Sequence, residues 1–167
     1  GKATPCPSNV ANADASVQGD GGTVVVWSDG RTDFAGAISA RGGAAGGNGG
    51  RAEVSGKQDL RFRSGQVNLS APAGRTGTLL LDPTNLLIMG DAIGTLAAST
   101  TTADATVYES DKEKMQANVL LQASDSISVA GNFSNNTIAL QPGLNLALET
   151  TGTTGTGTIT GIDLVVA

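Results

Sequence analysis

The stretch Gly22-Thr-Val-Val-Val-Trp-Ser28 occurs in this chain three times in related form. The second copy is Gly50-Arg-Ala-Glu-Val-Ser-Gly56, and the third is Gly77-Thr-Leu-Leu-Leu-Asp82. The opening glycines recur at a nearly constant interval. Their period of about 28 residues lies in the range of about 20 to 50 residues that is typical of proteins in which each repeat stacks on its neighbour. The sequence therefore predicts a repeat protein.

Side chains of two kinds alternate within each copy. Successive side chains of a strand point to opposite faces. One predicted face is apolar throughout and consists of Val24, Val26, Ala52, Val54, Leu79 and Leu81. The other face is mixed and consists of Thr23, Val25, Trp27, Arg51, Glu53, Ser55, Thr78, Leu80 and Asp82. The first face is predicted to be core and the second surface. Strands at this interval, with almost no helical pattern between them, predict an all-β parallel β-helix.

A second sequence feature recurs with the same period, since Phe34 is followed one repeat later by Phe62. Each phenylalanine is followed by a glycine and a short apolar strand that ends in Ser-Ala, at Ser39-Ala40 and Ser70-Ala71. We expect one continuous core lined by Val24, Val26, Phe34, Ile38, Val54, Phe62, Leu79 and Leu81. The same step places Asp33 directly above Arg61 on the outer face, where we expect an exposed ion pair worth less than about 1 kcal/mol.

Composition supports a single elongated domain of 167 residues with a core of small aliphatic side chains, since aromatic residues make up only 3%. The 15 acidic against 10 basic residues argue against a nucleic-acid partner. The chain has no histidine, the commonest general base and metal ligand, and its single cysteine, Cys6, excludes an internal disulfide. No stretch has the pattern of a signal peptide or a membrane span. The chain begins in mid-pattern, so we expect a mature or excised piece of a longer protein.

Two regions are predicted along the chain. Residues 1–18 form an extended N-terminal segment with a partial first coil, and residues 19–167 form the parallel β-helix domain. The stretch Ser110-Asp-Lys-Glu113 fits a capping box, with serine at the N-cap and glutamate three residues later. We therefore expect one short helical insertion near 110–117, lying on the side of the stacked strands. Strand patterning returns after it and continues to the end.

Several blocks of this chain resemble the filamentous haemagglutinin-like exoproteins of Gram-negative bacteria and cyanobacteria. The blocks are residues 19–29, 34–43, 49–57 and 77–83, followed by Asn118-Val-Leu-Leu-Gln-Ala123 and Ile127-Ser-Val129. The resemblance implies a right-handed parallel β-helix that is secreted by two-partner secretion through an outer-membrane transporter. It also implies a structural or adhesive role outside the cell or on the bacterial cell surface. A host or neighbouring cell surface, or a glycan, is then a possible partner.

The first functional hypothesis is a structural or adhesive shaft that self-associates end to end into a filament, because the ends of stacked strands leave open edges. The alternative is a polysaccharide-binding or polysaccharide-cleaving β-helix protein. Its candidate carboxylates are Asp29 with Asp33, and Glu109, Asp111 and Glu113. The first pair flanks a turn, and the others stand beside the predicted helix N-terminus, where negative charge is favourable. We therefore predict no enzyme activity and no catalytic, cofactor-binding or metal-binding residue. Binding of ice or a crystal surface by threonine is the weakest hypothesis, because no Thr-x-Thr motif recurs at the repeat period.

Overall fold

The computed structural model describes residues 10–62, 66–90, 105–108, 115–131, 137–138, 140–152, 158–160 and 165–166. All strands among these residues pair in parallel, and none of these residues is helical. The predicted all-β class and the parallel pairing are confirmed.

Sixteen strands lie in the described part of the chain. They are β1 (Val10–Asn12), β2 (Thr23–Ser28), β3 (Arg31–Phe34), β4 (Ala37–Ser39), β5 (Arg51–Gly56), β6 (Asp59–Phe62), β7 (Gln66–Asn68), β8 (Thr78–Leu81), β9 (Asn85–Gly90), β10 (Ala105–Tyr108), β11 (Asn118–Ala123), β12 (Ser126–Gly131), β13 (Thr137–Ile138), β14 (Leu146–Thr150), β15 (Thr158–Thr160) and β16 (Val165–Val166).

Three parallel sheets contain all but two of these strands. Sheet 1 has the order β1-β4-β7, sheet 2 the order β2-β5-β8-β11-β14, and sheet 3 the order β3-β6-β10-β9-β12-β15, while β13 pairs with β16. The first nine strands enter sheets 1, 2 and 3 in that order three times. In sheets 1 and 2 each strand of one repeat therefore pairs with the corresponding strand of the next repeat and not with its neighbour in sequence.

The register of sheet 2 follows the sequence repeat. In the pairing of β2 with β5, Val24 lies opposite Ala52 and Val26 lies opposite Val54. The pairing of β5 with β8 continues both rows, and Leu81 lies opposite Val54. The interval between the opening glycines is therefore the step from one strand of the sheet to the next.

The apolar face of sheet 2 belongs to one hydrophobic core that also includes residues of sheets 1 and 3. All eight predicted core residues are members, which confirms that prediction. Five are buried, namely Ile38, Val54, Phe62, Leu79 and Leu81. Three are half-buried against the same cluster, namely Val24, Val26 and Phe34.

Two residues of the predicted surface face are buried instead. Leu80 is only 7% exposed and Ser55 only 2%. The Ser55 hydroxyl donates to Glu53 Oε1 at 2.9 Å, and the Ser55 carbonyl accepts the hydroxyl of buried Thr32 at 2.6 Å. Ser55 is therefore buried with hydrogen-bond partners, as burial of a polar group requires.

The glycines that open the repeats stand where the chain returns from sheet 1 to sheet 2. Each of their amides donates to a carbonyl at the end of the preceding sheet 1 segment. The three bonds are Gly22 to Ala13 at 2.7 Å, Gly50 to Ala40 at 2.7 Å and Gly77 to Leu69 at 2.8 Å. A Cβ on Gly77 would overlap the carbonyl oxygen of Gly50. Stacked strands therefore approach closely enough at this corner to require glycine.

A ladder of side-chain acceptors lies just before these glycines. Asp20 Oδ1 accepts the amide of Asn48 at 2.6 Å, and Asn48 Oδ1 accepts the amide of Arg75 at 3.0 Å. The same arrangement recurs farther along, where Asn118 Oδ1 accepts the amide of Asn145 at 3.0 Å. These bonds satisfy backbone amides in the connections, where no strand pairing is present to do so.

One strand lies out of chain order and was not predicted. In sheet 3, β10 is inserted between β6 and β9, whereas in sheet 2 β5 and β8 are direct neighbours. Val107 of β10 is fully buried in the core. Sheet 3 therefore has six strands where sheet 2 has five.

The predicted helix near 110–117 is wrong for the part of it that the structure describes, and residues 110–114 lie outside that part. Gln116 forms a parallel bridge with Asn68, and Met115 and Ala117 are fully buried. Residues 115–117 thus extend sheet 1 beyond β7. Two apolar side chains enter the core from this segment, and this burial outweighs a helical preference that is local and weak.

The predicted equivalence of the two Ser-Ala pairs is also wrong. Ser39 lies opposite Asn68 in the pairing of β4 with β7, not opposite Ser70. The Asn68 carboxamide oxygen accepts both the amide and the hydroxyl of Ser70. Ser70 therefore belongs to the connection after β7.

Candidate functional site

The two ends of the described core differ from its middle. Nine apolar residues pack against the core without being buried. They are Ala11, Ala13, Val24, Val26, Phe34, Val129, Leu140, Leu146 and Leu148. Five of them belong to the first repeat and three to residues 140–148. The core is therefore closed in its middle and partly open at the first and last strands.

The first repeat also carries the exposed large apolar side chains of the described residues. Val10 is 54% exposed, Val17 66%, Val25 58% and Trp27 53%. Exposed apolar residues scattered singly are ordinary, but a concentration at one end is typical of a contact surface.

Backbone groups at both ends add to this surface. β1, β2 and β3 are the first strands of their sheets, and β14 and β15 are the last strands of sheets 2 and 3. Each pairs with one neighbour among the described strands, and within that part of the chain the amides and carbonyls of its other edge, in the spacing of a parallel sheet, have no strand partner. Edges of this kind pair readily with a further strand.

The carboxylates proposed from the sequence are not brought together. Asp29 is exposed in the bend after β2. Asp33 lies on the outer face of β3, opposite Arg61 as the register predicted. On this face Arg31 Nε donates to Asp59 Oδ2 at 2.6 Å, and Arg61 Nε lies 3.6 Å from the same oxygen.

The other three proposed carboxylates, Glu109, Asp111 and Glu113, lie outside the described residues. The predicted ion pair between Asp33 and Arg61 stays a prediction. Arg31 and Arg61 both contact the Asp59 carboxylate on this surface.

A carboxylate pair that the sequence analysis did not single out lies on the outer face of sheet 2. Asp82 directly follows β8, and burial raises its pKa, with a further contribution from the charge of Glu53. Glu53 is held by the Ser55 hydroxyl. A carboxyl group with a raised pKa beside a second carboxylate is found at acid–base sites, and structural carboxylates show the same behaviour. The repeat itself could have revealed the pair, because Asp82 occupies the position after Val54 in the aligned copies.

A further aspartate has a structural role. Burial alone would raise the pKa of Asp14, but hydrogen bonds from the Arg41 amide and the Ser39 hydroxyl, each 2.7 Å long, lower it overall. Asp14 therefore serves as an ionised acceptor that joins the first connection to the second.

No group of three or more cysteine, aspartate or glutamate side chains suited to a metal ion occurs within the described ranges. None of these ranges contains a helix that is long and apolar enough to cross a membrane. Comparison with protein-family models finds no matching family, and comparison with curated proteins finds no matching sequence.

Proposed function

We propose that the three sheets are the walls of a right-handed parallel β-helix. The supporting observation is that the chain enters sheets 1, 2 and 3 in the same order three times, with a nearly constant step from β2 to β5 and from β5 to β8. Connections between parallel strands of one sheet are right-handed in about 98% of cases, because strand twist favours that direction. Residues 19–167 form the β-helix domain in this proposal, and residues 1–18 form an extended N-terminal segment and a partial first coil, to which β1 belongs.

The proposed function is that of an extracellular structural or adhesive segment of a filamentous haemagglutinin-like exoprotein. The family resemblance supports secretion through an outer-membrane transporter and a final location outside the cell or on the bacterial surface. It also supports contact with a host cell, a neighbouring cell or a glycan. In this proposal the chain acts by association and has no enzyme activity.

The observation that supports association is the matching register of the two terminal strands of sheet 2. Leu146 occupies the same row as Val24, and Leu148 the same row as Val26. All four side chains are half-buried. Placing β2 of one molecule on β14 of another would cover Val24 with Leu146 and Val26 with Leu148. The gain is hydrophobic and adds to the backbone hydrogen bonds of a new parallel pair.

Contact between these two unlike ends would be heterologous. A heterologous contact yields a ring when its rotation closes and a filament when it does not. A molecule that adds its β2 to the β14 of another is stacked along the same axis, and this arrangement does not curve back into a ring. The proposed assembly is therefore a filament in which sheet 2 continues from molecule to molecule.

The experiment uses one variant for each end, with a matched control on the same strand. Leu148→Asp places a charge on the β14 side of the proposed contact between molecules, whereas Ala147→Asp places a charge on the exposed outer face of the same strand. Val24→Asp and Thr23→Asp form the corresponding pair on β2. We expect light scattering to show concentration-dependent growth for the parent and both controls, and monomers for Leu148→Asp and Val24→Asp.

A mixture of Leu148→Asp and Val24→Asp tests whether the contact joins β14 of one molecule to β2 of another. Each variant retains one intact end, so an equimolar mixture should form dimers and nothing larger. Circular dichroism establishes that each variant is folded. A parent that stays monomeric at all concentrations, or folded variants whose mixture stays monomeric, would refute the proposed association.

A further inference from the structure

A groove crosses the outer surface where the connections enter sheet 2. It has a volume of about 530 Å³ and is lined by polar and apolar groups in about equal measure. Arg51, Arg75, Thr23 and Thr78 contribute charged and hydroxyl side chains, and Leu80 and Leu120 contribute an apolar part. These residues belong to or directly precede four successive strands of sheet 2, which are β2, β5, β8 and β11.

The two arginines are the main charges of this groove. Both are exposed, and neither forms an ion pair with a described residue, in contrast to Arg31 and Arg61. The acidic side chain in the lining is Asp20, whose Oδ1 already accepts the amide of Asn48. In a chain of net charge −5, the groove is thus a local site with two available guanidinium groups. Guanidinium binds carboxylates in bidentate geometry.

The shape of the groove indicates the length of its ligand. Four successive strands span three spacings of about 4.8 Å, or about 14 Å along the stacking direction. A single small anion would occupy only part of this length. A linear polymer can therefore lie along the groove.

The chemistry of the lining favours a sugar polymer. Threonine hydroxyls and exposed backbone can form hydrogen bonds with sugar hydroxyls, while the half-buried Leu120 can contact the apolar face of a sugar ring. None of the described residues that line the groove is aromatic, so they offer no stacking surface of the kind that single-stranded nucleic acids use. The groove also lies on the face of sheet 2 and not at a strand edge, where an extended peptide would bind.

We propose that this groove binds a linear acidic glycan whose sugar units carry carboxylates, with Arg51 and Arg75 each binding one carboxylate. This proposal rests on the proposed function in one respect, which is that the partner is a glycan. Thr23 of β2 lines one end of the groove, but neither arginine belongs to a terminal strand, so binding through the arginines does not require association of the chain. The overall negative charge repels a polyanion, and binding is therefore weak and decreases as salt is added.

The test is calorimetric titration with an oligogalacturonate at low salt. The variants are Arg51→Gln and Arg75→Gln, and the matched control is Arg61→Gln, which removes the same charge from the outer face of sheet 3. We expect the parent to bind, each groove variant to bind about tenfold more weakly, and the control to bind within about twofold of the parent. The fully methyl-esterified oligomer, which keeps the sugars and removes the charges, should not bind.

Comparison ligands identify the chemistry. A sulfated oligosaccharide or a polyglutamate peptide that binds as tightly as the oligogalacturonate, with the same dependence on Arg51, would overturn the proposed carboxylate glycan. So would a parent that does not bind, or groove variants that bind like the control. Retention of binding by the monomeric Leu148→Asp variant would support a site distinct from the association surface, and loss of binding by that folded variant would refute it.

Discussion

Phe34 and Phe62 stack across the pairing of β3 with β6, with ring centroids 5.4 Å apart and ring planes inclined by 25°. They stand one repeat apart in the sequence and directly opposite each other in sheet 3. Phe62 is fully buried, whereas Phe34 is half-buried because it belongs to the first strand of the sheet. This contact joins the first repeat to the second.

Replacement of the two phenylalanines should therefore have unequal effects on stability. We expect Phe62→Ala to lower the free energy of unfolding by about 3–5 kcal/mol, because it leaves a cavity in a closed part of the core. Phe34→Ala should cost clearly less, since water can fill the space that it vacates. Urea unfolding followed by circular dichroism measures both. Equal losses would contradict the open end of the core.

A charge placed on the inner face of sheet 2 should be far more costly than one on the outer face. Val54 has no exposed surface. Val54→Asp would bury a carboxylate without a partner, and we expect a loss of several kcal/mol. The control is Thr78→Asp, an exposed position opposite Arg51, where we expect a change of about 0.5 kcal/mol or less. If Val54→Asp melts like the parent, the register of the sheet is wrong.

The close approach of stacked backbones can be tested with alanine. At Gly77 a Cβ would overlap the Gly50 carbonyl, whereas a Cβ on Gly30 would meet no atom within 4 Å. We expect Gly77→Ala to lower the free energy of unfolding by about 1–3 kcal/mol, as overpacking does. Gly30→Ala should leave it unchanged or raise it by up to about 1 kcal/mol. Thermal melts of both variants would show the contrast, and similar melting temperatures would contradict it.

The raised pKa of Asp82 has a consequence for stability at neutral pH. Burial and the charge of Glu53 raise this pKa above its ordinary value of 3.8. The native state therefore retains the proton at a pH where the unfolded chain has lost it. Stability from this group is complete below pH 3.8 and is lost as the pH rises through the raised pKa.

Asp82→Asn removes this titration. We expect the variant to be more stable than the parent at pH 7, by less than about 1 kcal/mol because water screens the site. The difference should shrink as the pH falls towards 3. Glu53→Gln should have a smaller effect of the same sign, since burial is the larger cause of the shift. A variant that is less stable than the parent at pH 7 would show that the ionised form of Asp82 is stabilising.

The repeat at Gly22, Gly50 and Gly77 predicts the parallel pairing and register of β2, β5 and β8 together with their five core residues. Those features depend on alternation and period, which the sequence contains directly. The recurrence of Phe34 as Phe62 at the same step predicts that both lie in the core, whereas the stacking of their rings is seen only in the structure.

The position of β10 could not be predicted in this way. An apolar strand pattern indicates which face is buried, but it does not indicate which strands are neighbours. Nothing local in Ala105–Tyr108 indicates that this strand enters between β6 and β9, which precede it in the chain. The segment 115–117 was predicted wrongly for a related reason. Its local sequence favours a helix, and the sequence does not show the core contacts that bury Met115 in an extended segment.

The sequence alone predicts only part of the surroundings of Asp82 and of the groove. Aligning the copies places Asp82 beside Ser55, but the pKa shift depends on burial that the sequence does not show. The groove depends on the path of the connections before β5 and β8. Arg51 and Arg75 occupy different positions within their repeats, so the period alone does not bring them together.

Cryo-electron microscopy of the assembled parent protein tests the central claim most directly, which is that the chain is a parallel β-helix that associates through its terminal strands. We expect rods in which layers about 4.8 Å apart continue without interruption from one molecule into the next. At the joint, β14 should lie beside β2 of the neighbour, with Leu146 on Val24 and Leu148 on Val26. Particles that are one molecule long under all conditions, or rods whose molecules touch through the outer faces of their sheets, would contradict this account.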